Sequence, residues 1–323
     1  MDISALVLAA ALAAPSLSPV DKIVIGGVAR WDYVYMDSAS KRLYVSHATQ
    51  TEVVDTQTLK VVGTVAGTNG VHGIAIAADL GLGFTSNGRD NTVLAFDLAT
   101  LKPAAVVKVG DNPDAIVYVP ALQRVVSFNG RSKDLSVIDA RSMQVLATVP
   151  VGGKPEFAQL GEQNRIYFNI EDTHELAVFD ANQLSLTQRG SLVQCEEPTG
   201  LALGAQQRVY SVCANHTMVV SSPDGKHQQR VAIGAGPDGV AWMDGYAYSA
   251  NGGDGTISVV GEDPQGQFKT LATVPSTYGA RTIAADPAMH RLYLPTATFT
   301  APDGKGQRSG VADSFQILVM QSK

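Results

Sequence analysis

VHGIAIAADLGLGFTSNGRDNTVLAFDLATLKPAAVVKVG, residues 71–110, decides the fold. It holds about four short apolar runs separated by turn residues, the pattern of consecutive strands. The next copy begins at Pro113 as PDAIVYVPALQRVVSFNGRSKDLSVIDARSMQVLATVPVG. Others begin at Pro155, Pro198, Pro237 and Ala280, and one precedes them near Ala29. From residue 71 on, successive starts lie 42, 42, 43, 39 and 43 residues apart. A second marker, the Asp closing the third run, recurs at Asp55, Asp97, Asp139 and Asp180, at intervals of 42, 42 and 41. Two independent markers at one period define a repeat. Several strands per unit of about 42 residues mean the blade of a propeller.

A closed ring of blades is one domain, so the 323 residues need no division into two. Residues 22–27, KIVIGG, look like an outer strand with no strands before it, and residues 315–320, FQILVM, like a third strand with none after. Joining them completes a last blade and removes two open edges. The expectation is an all-β, seven-bladed β-propeller of four-stranded antiparallel blades. They run 28–67, 70–110, 112–152, 154–194, 197–234, 236–274 and 279–320 plus 22–27, within a domain at 21–323. Residues 297–313 are the longest insertion, rich in Gly, Pro and charge, and read as a flexible loop.

Residues 1–20 stand apart from the repeat. An apolar run over residues 5–14, containing Ala11, Leu12 and Ala13 in a small-x-small pattern, reads as a signal peptide; a disordered leader is the alternative. The run is too short to span a bilayer. A periplasmic or secreted protein is expected. The net charge of −6 argues against nucleic acid as a partner, because backbone binding needs clustered Lys and Arg.

Second runs such as YVSH, TSNGRDNTV and SFNGRSKDLSVID, at residues 44–47, 85–93 and 127–139, resemble YVTN repeats. Over residues 22–320 the chain resembles the YncE-like seven-bladed propellers exported by bacteria. Relatives of that architecture include sugar lactonases, a streptogramin lyase, the copper domain of nitrous oxide reductase and proteins known as binders, one type of single-stranded DNA. The resemblance implies the fold and no single activity.

In such a ring the loop entering each inner strand and the loop after each second strand open on one face. The entering positions are Arg30, His72, Asp114, Glu156, Thr199, Asp238 and Arg281; six of the seven are ionisable in a chain that is 17% charged. The second runs end at His47, Asn87, Asn129, Ile170, Cys213, Asn251 and Thr296. Together they predict a polar funnel, with Arg281 and Arg30 on one side and Asp114 and Glu156 on the other. Arg89 and Arg131, in two Asn-Gly-Arg turns, extend its rim. The expected ligand is a small polar or anionic molecule, or a loop of a protein partner, held by arginines. The expected ligand-binding set is Arg30, His47, His72, Asn87, Arg89, Asp114, Asn129, Arg131, Glu156, Asp238, Asn251 and Arg281, in a monomer.

Two further readings stay open beside a scaffold role. A lyase or lactonase would use His72, Glu156 or Asp114 as base. A divalent metal would sit between His47 and His72, with Asp114 or Glu156 as a further ligand. Cys195 enters blade 5 and Cys213 ends its second strand on the same face. A disulfide there fits an oxidising compartment, with free thiols as the alternative. The recurring aromatics Tyr44, Phe84, Tyr167, Tyr210, Tyr248 and Tyr293 read as packing between blades.

Overall fold

The computed structural model describes residues 15–323. Seven four-stranded antiparallel sheets form a ring, the first six each laid down from the channel outward. The first six blades span Trp31–Ala66, Val71–Lys108, Pro113–Pro150, Pro155–Ser191, Pro198–Ala232 and Pro237–Pro275 by residue number. The seventh combines Ala284–Asp286, Arg291–Thr296 and Gln316–Ser322 with the N-terminal strand Leu17–Val24.

That closing strand starts five residues before residue 22. Leu17 pairs with Ser322 and Val24 with Gln316, so residues 17–20 belong to the sheet. The expected signal peptide otherwise falls on residues 1–14, outside the described residues. Among the described residues no helix is long and apolar enough to cross a membrane.

The repeated Asp is a turn device. Asp97 Oδ1 accepts from the backbone N–H of Ala99 at 3.1 Å and Thr100 at 2.7 Å, folding the chain back after the third strand. Asp55, Asp139 and Asp180 do the same, the Asx turn of short acidic side chains.

The recurring aromatics are buried between sheets. Tyr44 of blade 1 meets Phe96 of blade 2 at 6.1 Å, and Tyr210 of blade 5 stacks on Trp242 of blade 6 at 5.0 Å. In blades 3 and 4, Phe128 and Phe168 lie 5.2 Å apart, both fully buried. Each such ring contributes about 2–3 kcal/mol by leaving water. These contacts pack each of these blades against its neighbour.

The insertion at 297–313 folds back on itself. Phe299 bridges Gly310, and the Thr300 N–H donates to the Ser309 carbonyl at 2.9 Å. This turns Phe299 against Trp31 and Tyr278.

Candidate functional site

The inner strands of the first six blades share one irregularity. Just after its first residue each register shifts, between Trp31 and Val34, Val71 and Ile74, Pro113 and Ile116, Pro155 and Ala158, Pro198 and Leu201, and Pro237 and Gly239. Such bulges interrupt the alternation of side chains and re-aim one of them. The re-aimed residues are Asp32, His72, Asp114, Glu156, Thr199 and Asp238, joined by Arg281 ahead of the short inner strand of blade 7. Glycines beside them let the strands converge. A Cβ on Gly200 would lie 2.4 Å from the Asp238 carbonyl oxygen, and one on Gly73 2.9 Å from that of Asp114.

Blade 1 therefore contributes Asp32 and not Arg30. Trp31, which pairs with His47, holds the place that Val71 and Pro113 hold against Asn87 and Asn129. Spacing carried that signal: residues 71 and 87, and 113 and 129, are sixteen apart, and sixteen before His47 is Trp31. Arg30 lies just outside the ring with its side chain exposed.

The ring residues form a charge network. His72 Nδ1 meets Asp32 Oδ2 in a short contact and lies 3.8 Å from Asp114 Oδ1. Arg281 Nε donates to Asp238 Oδ2 at 2.7 Å, Nη2 donates to the Trp31 carbonyl at 2.9 Å, and the guanidinium lies 3.7 Å from Asp32 Oδ1. Lys154 bridges Glu156 at 2.7 Å and Glu171. Tyr33 reaches across the channel to donate to Glu156 Oε2 at 3.3 Å.

Burial and crowding shift these groups. Burial lowers the affinity of His72 for its proton, but the bond to Asp32 and the charges of Asp114 and Asp32 outweigh it, and the imidazole is raised to about 9. Asp114 is pushed up to about 6 by burial, against the pull of His72. Burial, with Asp114 nearby, pushes Glu156 up to about 10, while hydrogen bonds from Glu156 and Lys154 hold Glu171 down despite its own burial. The proton of that pair therefore rests on Glu156, and Glu171 carries the charge that Lys154 answers. Burial also raises Asp238, against Arg281, and lifts Tyr33 well above its usual range.

Several expected funnel groups serve the blades instead. Asn87, Asn129 and Asn251 are buried. Asn129 Nδ2 donates to Asp134 at 2.7 Å and Ser136 at 2.9 Å, and Asn251 bonds Thr256 and Ser258 in the same way. Asn87 donates to Thr92 at 3.3 Å. These amides tie second strands to third strands.

His47 is also committed elsewhere. Nδ1 bonds Glu52 at 2.9 Å, Nε2 bonds the Val28 carbonyl at 2.8 Å, and the ring stacks on Phe315 at 4.4 Å. With both nitrogens taken, His47 does not join His72 as a metal ligand. The group that converges is Asp32, His72 and Asp114, whose ligand atoms all lie within 4.8 Å of one another. Arg89 and Arg131 are exposed at the rim, Arg89 beside Gly70. Cys195 and Cys213 form a disulfide with a Cα–Cα distance of 5.3 Å.

Two cavities adjoin the ring. One of about 300 Å³ opens between blades 7, 1 and 2, lined by Arg30, Asp32, His72 and Arg281, with Trp31 and Phe299 as aromatic walls. Arg281 lies over the Trp31 ring at 5.5 Å. The other, about 460 Å³, is the channel itself, which turns apolar beyond Tyr33, with Ile74, Leu160 and Trp242 among its lining residues.

Solved structures share the architecture at low identity. RRP9 WD40 repeats superpose with a TM-score of 0.76 at 8% identity, covering 95% of this chain and 99% of that one. U3-55K gives 0.75 at 9% identity, covering 93% and 99%. Hydrazine synthase of Kuenenia stuttgartiensis gives 0.71 at 15% identity, covering 91% and 97%. These likenesses establish the seven-bladed propeller fold, which by itself fixes no function. No family model and no curated protein matches the chain.

Proposed function

We propose that this chain is an exported propeller of the YncE-like, YVTN-repeat kind, and that it binds a small anionic molecule in the 300 Å³ pocket between blades 7, 1 and 2. The observation that carries the reading is Arg30. Arg30 is an exposed residue lining that pocket, and its guanidinium has no hydrogen bond or ion pair among the described residues. The other cation of the same wall, Arg281, is held by Asp238 and Trp31. Two arginines, one fixed and one free, beside two aromatic walls suit a planar carboxylate or a similar oxyanion. The pocket is at the lower end of the size range of small-molecule sites. Export is supported by the apolar run at residues 5–14 and by the Cys195–Cys213 disulfide, which persists in oxidising compartments.

A thermal-shift screen of mono- and dicarboxylates, sugar acids and phosphate esters tests the reading. A specific ligand stabilises the wild type and binds Arg30→Ala at least tenfold more weakly, the loss of one charge-assisted contact. A ligand whose affinity is the same in Arg30→Ala sinks this placement. A screen in which no anion stabilises the protein leaves the scaffold role as the better account.

A further inference from the structure

We propose that Asp32, His72 and Asp114 form a binding site for a divalent transition-metal cation, of the zinc or manganese class, at the mouth of the channel. The three come from blades 1, 2 and 3, and the bulges after Trp31, Val71 and Pro113 aim them at one point. Their ligand atoms lie within 4.8 Å of one another. Ligand atoms around a tetrahedral ion with bonds of about 2.1 Å stand about 3.4 Å apart, so small side-chain rotations close the set.

The independent observation is Asp114. The residue is 7% exposed, and its Oδ1 is buried with no hydrogen-bond donor. Its nearest cation is His72 Nδ1 at 3.8 Å, already engaged with Asp32. The other ring carboxyl groups are answered, Asp238 by Arg281 and Glu156 by its own proton and the contacts from Lys154 and Tyr33. A buried carboxylate oxygen without a donor is costly. A water molecule there would supply a donor but not a charge. A metal cation supplies a coordination bond and a charge, in place of the proton between His72 Nδ1 and Asp32 Oδ2.

The donor set selects the ion. One imidazole nitrogen and two carboxylate oxygens suit zinc or manganese. Calcium asks for six to eight oxygens, and a soft cuprous ion for sulfur. Three protein ligands leave a coordination position free. Asp32 and His72 also line the pocket that holds Arg30, so that position faces the pocket. The cation site does not depend on an anionic ligand being bound there.

The test is calorimetric titration of zinc chloride into the chelator-stripped full chain. The background carries His290→Ala, which removes an exposed imidazole paired with Asp244 at 2.6 Å and able to take zinc itself. One saturable equivalent is expected, with affinity at least tenfold lower in Asp114→Asn and in Asp32→Asn, two replacements that keep side-chain shape. Cobalt substituted into the site should show visible absorption bands that vanish in His72→Ala. Melting curves matching the wild type certify the fold of each variant. Absence of saturable zinc uptake, or equal uptake by Asp114→Asn, overturns the proposal. Arg30→Ala separates the two readings, since it should weaken the anion and leave zinc uptake intact.

Discussion

Glu156→Gln sets burial against ion pairing at the ring. Glu156 is 7% exposed, and its carboxyl is pushed up to about 10. It sits 2.7 Å from Lys154 Nζ, an ion pair that would by itself favour the charged form. Burial beside Asp114 wins, and the native carboxyl is protonated at neutral pH. In the unfolded chain a Glu ionises near 4.5. The native state then holds a proton that the unfolded state releases. The contribution of the group is full below pH 4.5 and declines as pH rises toward 10. At pH 7 the gap is two and a half pH units at 1.36 kcal/mol each, about 3 kcal/mol, part of which Glu171 returns because its own affinity is shifted down.

Gln keeps the shape and the acceptor for Tyr33 and cannot ionise. Melting followed by circular dichroism at pH 5, 6.5 and 8 should show near-equal stability at pH 5. A gap in favour of the variant should then grow to about 2–3 kcal/mol at pH 8, or about 3–4 °C for a chain of this size. A wild type that melts higher than the variant at pH 8 would refute the reasoning, because Glu156 would then be ionised and stabilised by Lys154.

His47→Ala should lower stability by about 1–3 kcal/mol, since it removes one partner of the buried Glu52 carboxylate, leaving Gln50 and Thr64, together with the partner of the Val28 carbonyl and the ring stacked on Phe315. Zinc uptake should not change in that variant, and a loss of uptake would return His47 to the metal site. Breaking the Cys195–Cys213 bond with reductant or by Cys213→Ser opens a loop of separation 18 and should cost about 3 kcal/mol, seen as a fall in melting temperature. An unchanged melt would show that the loop entering blade 5 is ordered without it. Removing residues 1–24 takes away the strand paired from Leu17 to Val24 and bares the edge strand Gln316–Ser322. Size-exclusion chromatography should show aggregation, whereas a monomer with the parent melting temperature would mean that the ring is closed by the inter-blade cores alone.

The blade count, the closing of the ring by the N-terminal strand and the packing role of the Tyr and Phe series were legible in the chain because they recur. Asp55, Asp97, Asp139 and Asp180 terminate the third strands of blades 1 to 4 by the same local turn chemistry, and a local cause leaves a local signal. The site was legible only in part. His72, Asp114, Glu156, Asp238 and Arg281 were visible as a polar series, but Asp32 was hidden by placing the start of blade 1 at Ala29.

What the sequence determined by itself is the periodic part of this protein, because strand alternation and turn chemistry act between neighbours along the chain. Tertiary structure decided which of the other polar groups turn away from the channel and how those that reach it pair. Asn87, Asn129 and Asn251 turn into their own sheets because the Thr and Ser of the adjacent third strands satisfy them there. His47 turns away because Glu52 and the Val28 carbonyl take both its nitrogens. Asp114 faces inward with a bare oxygen because a bulge aims it, and a bulge is a property of the register between two strands that no reading along one strand contains.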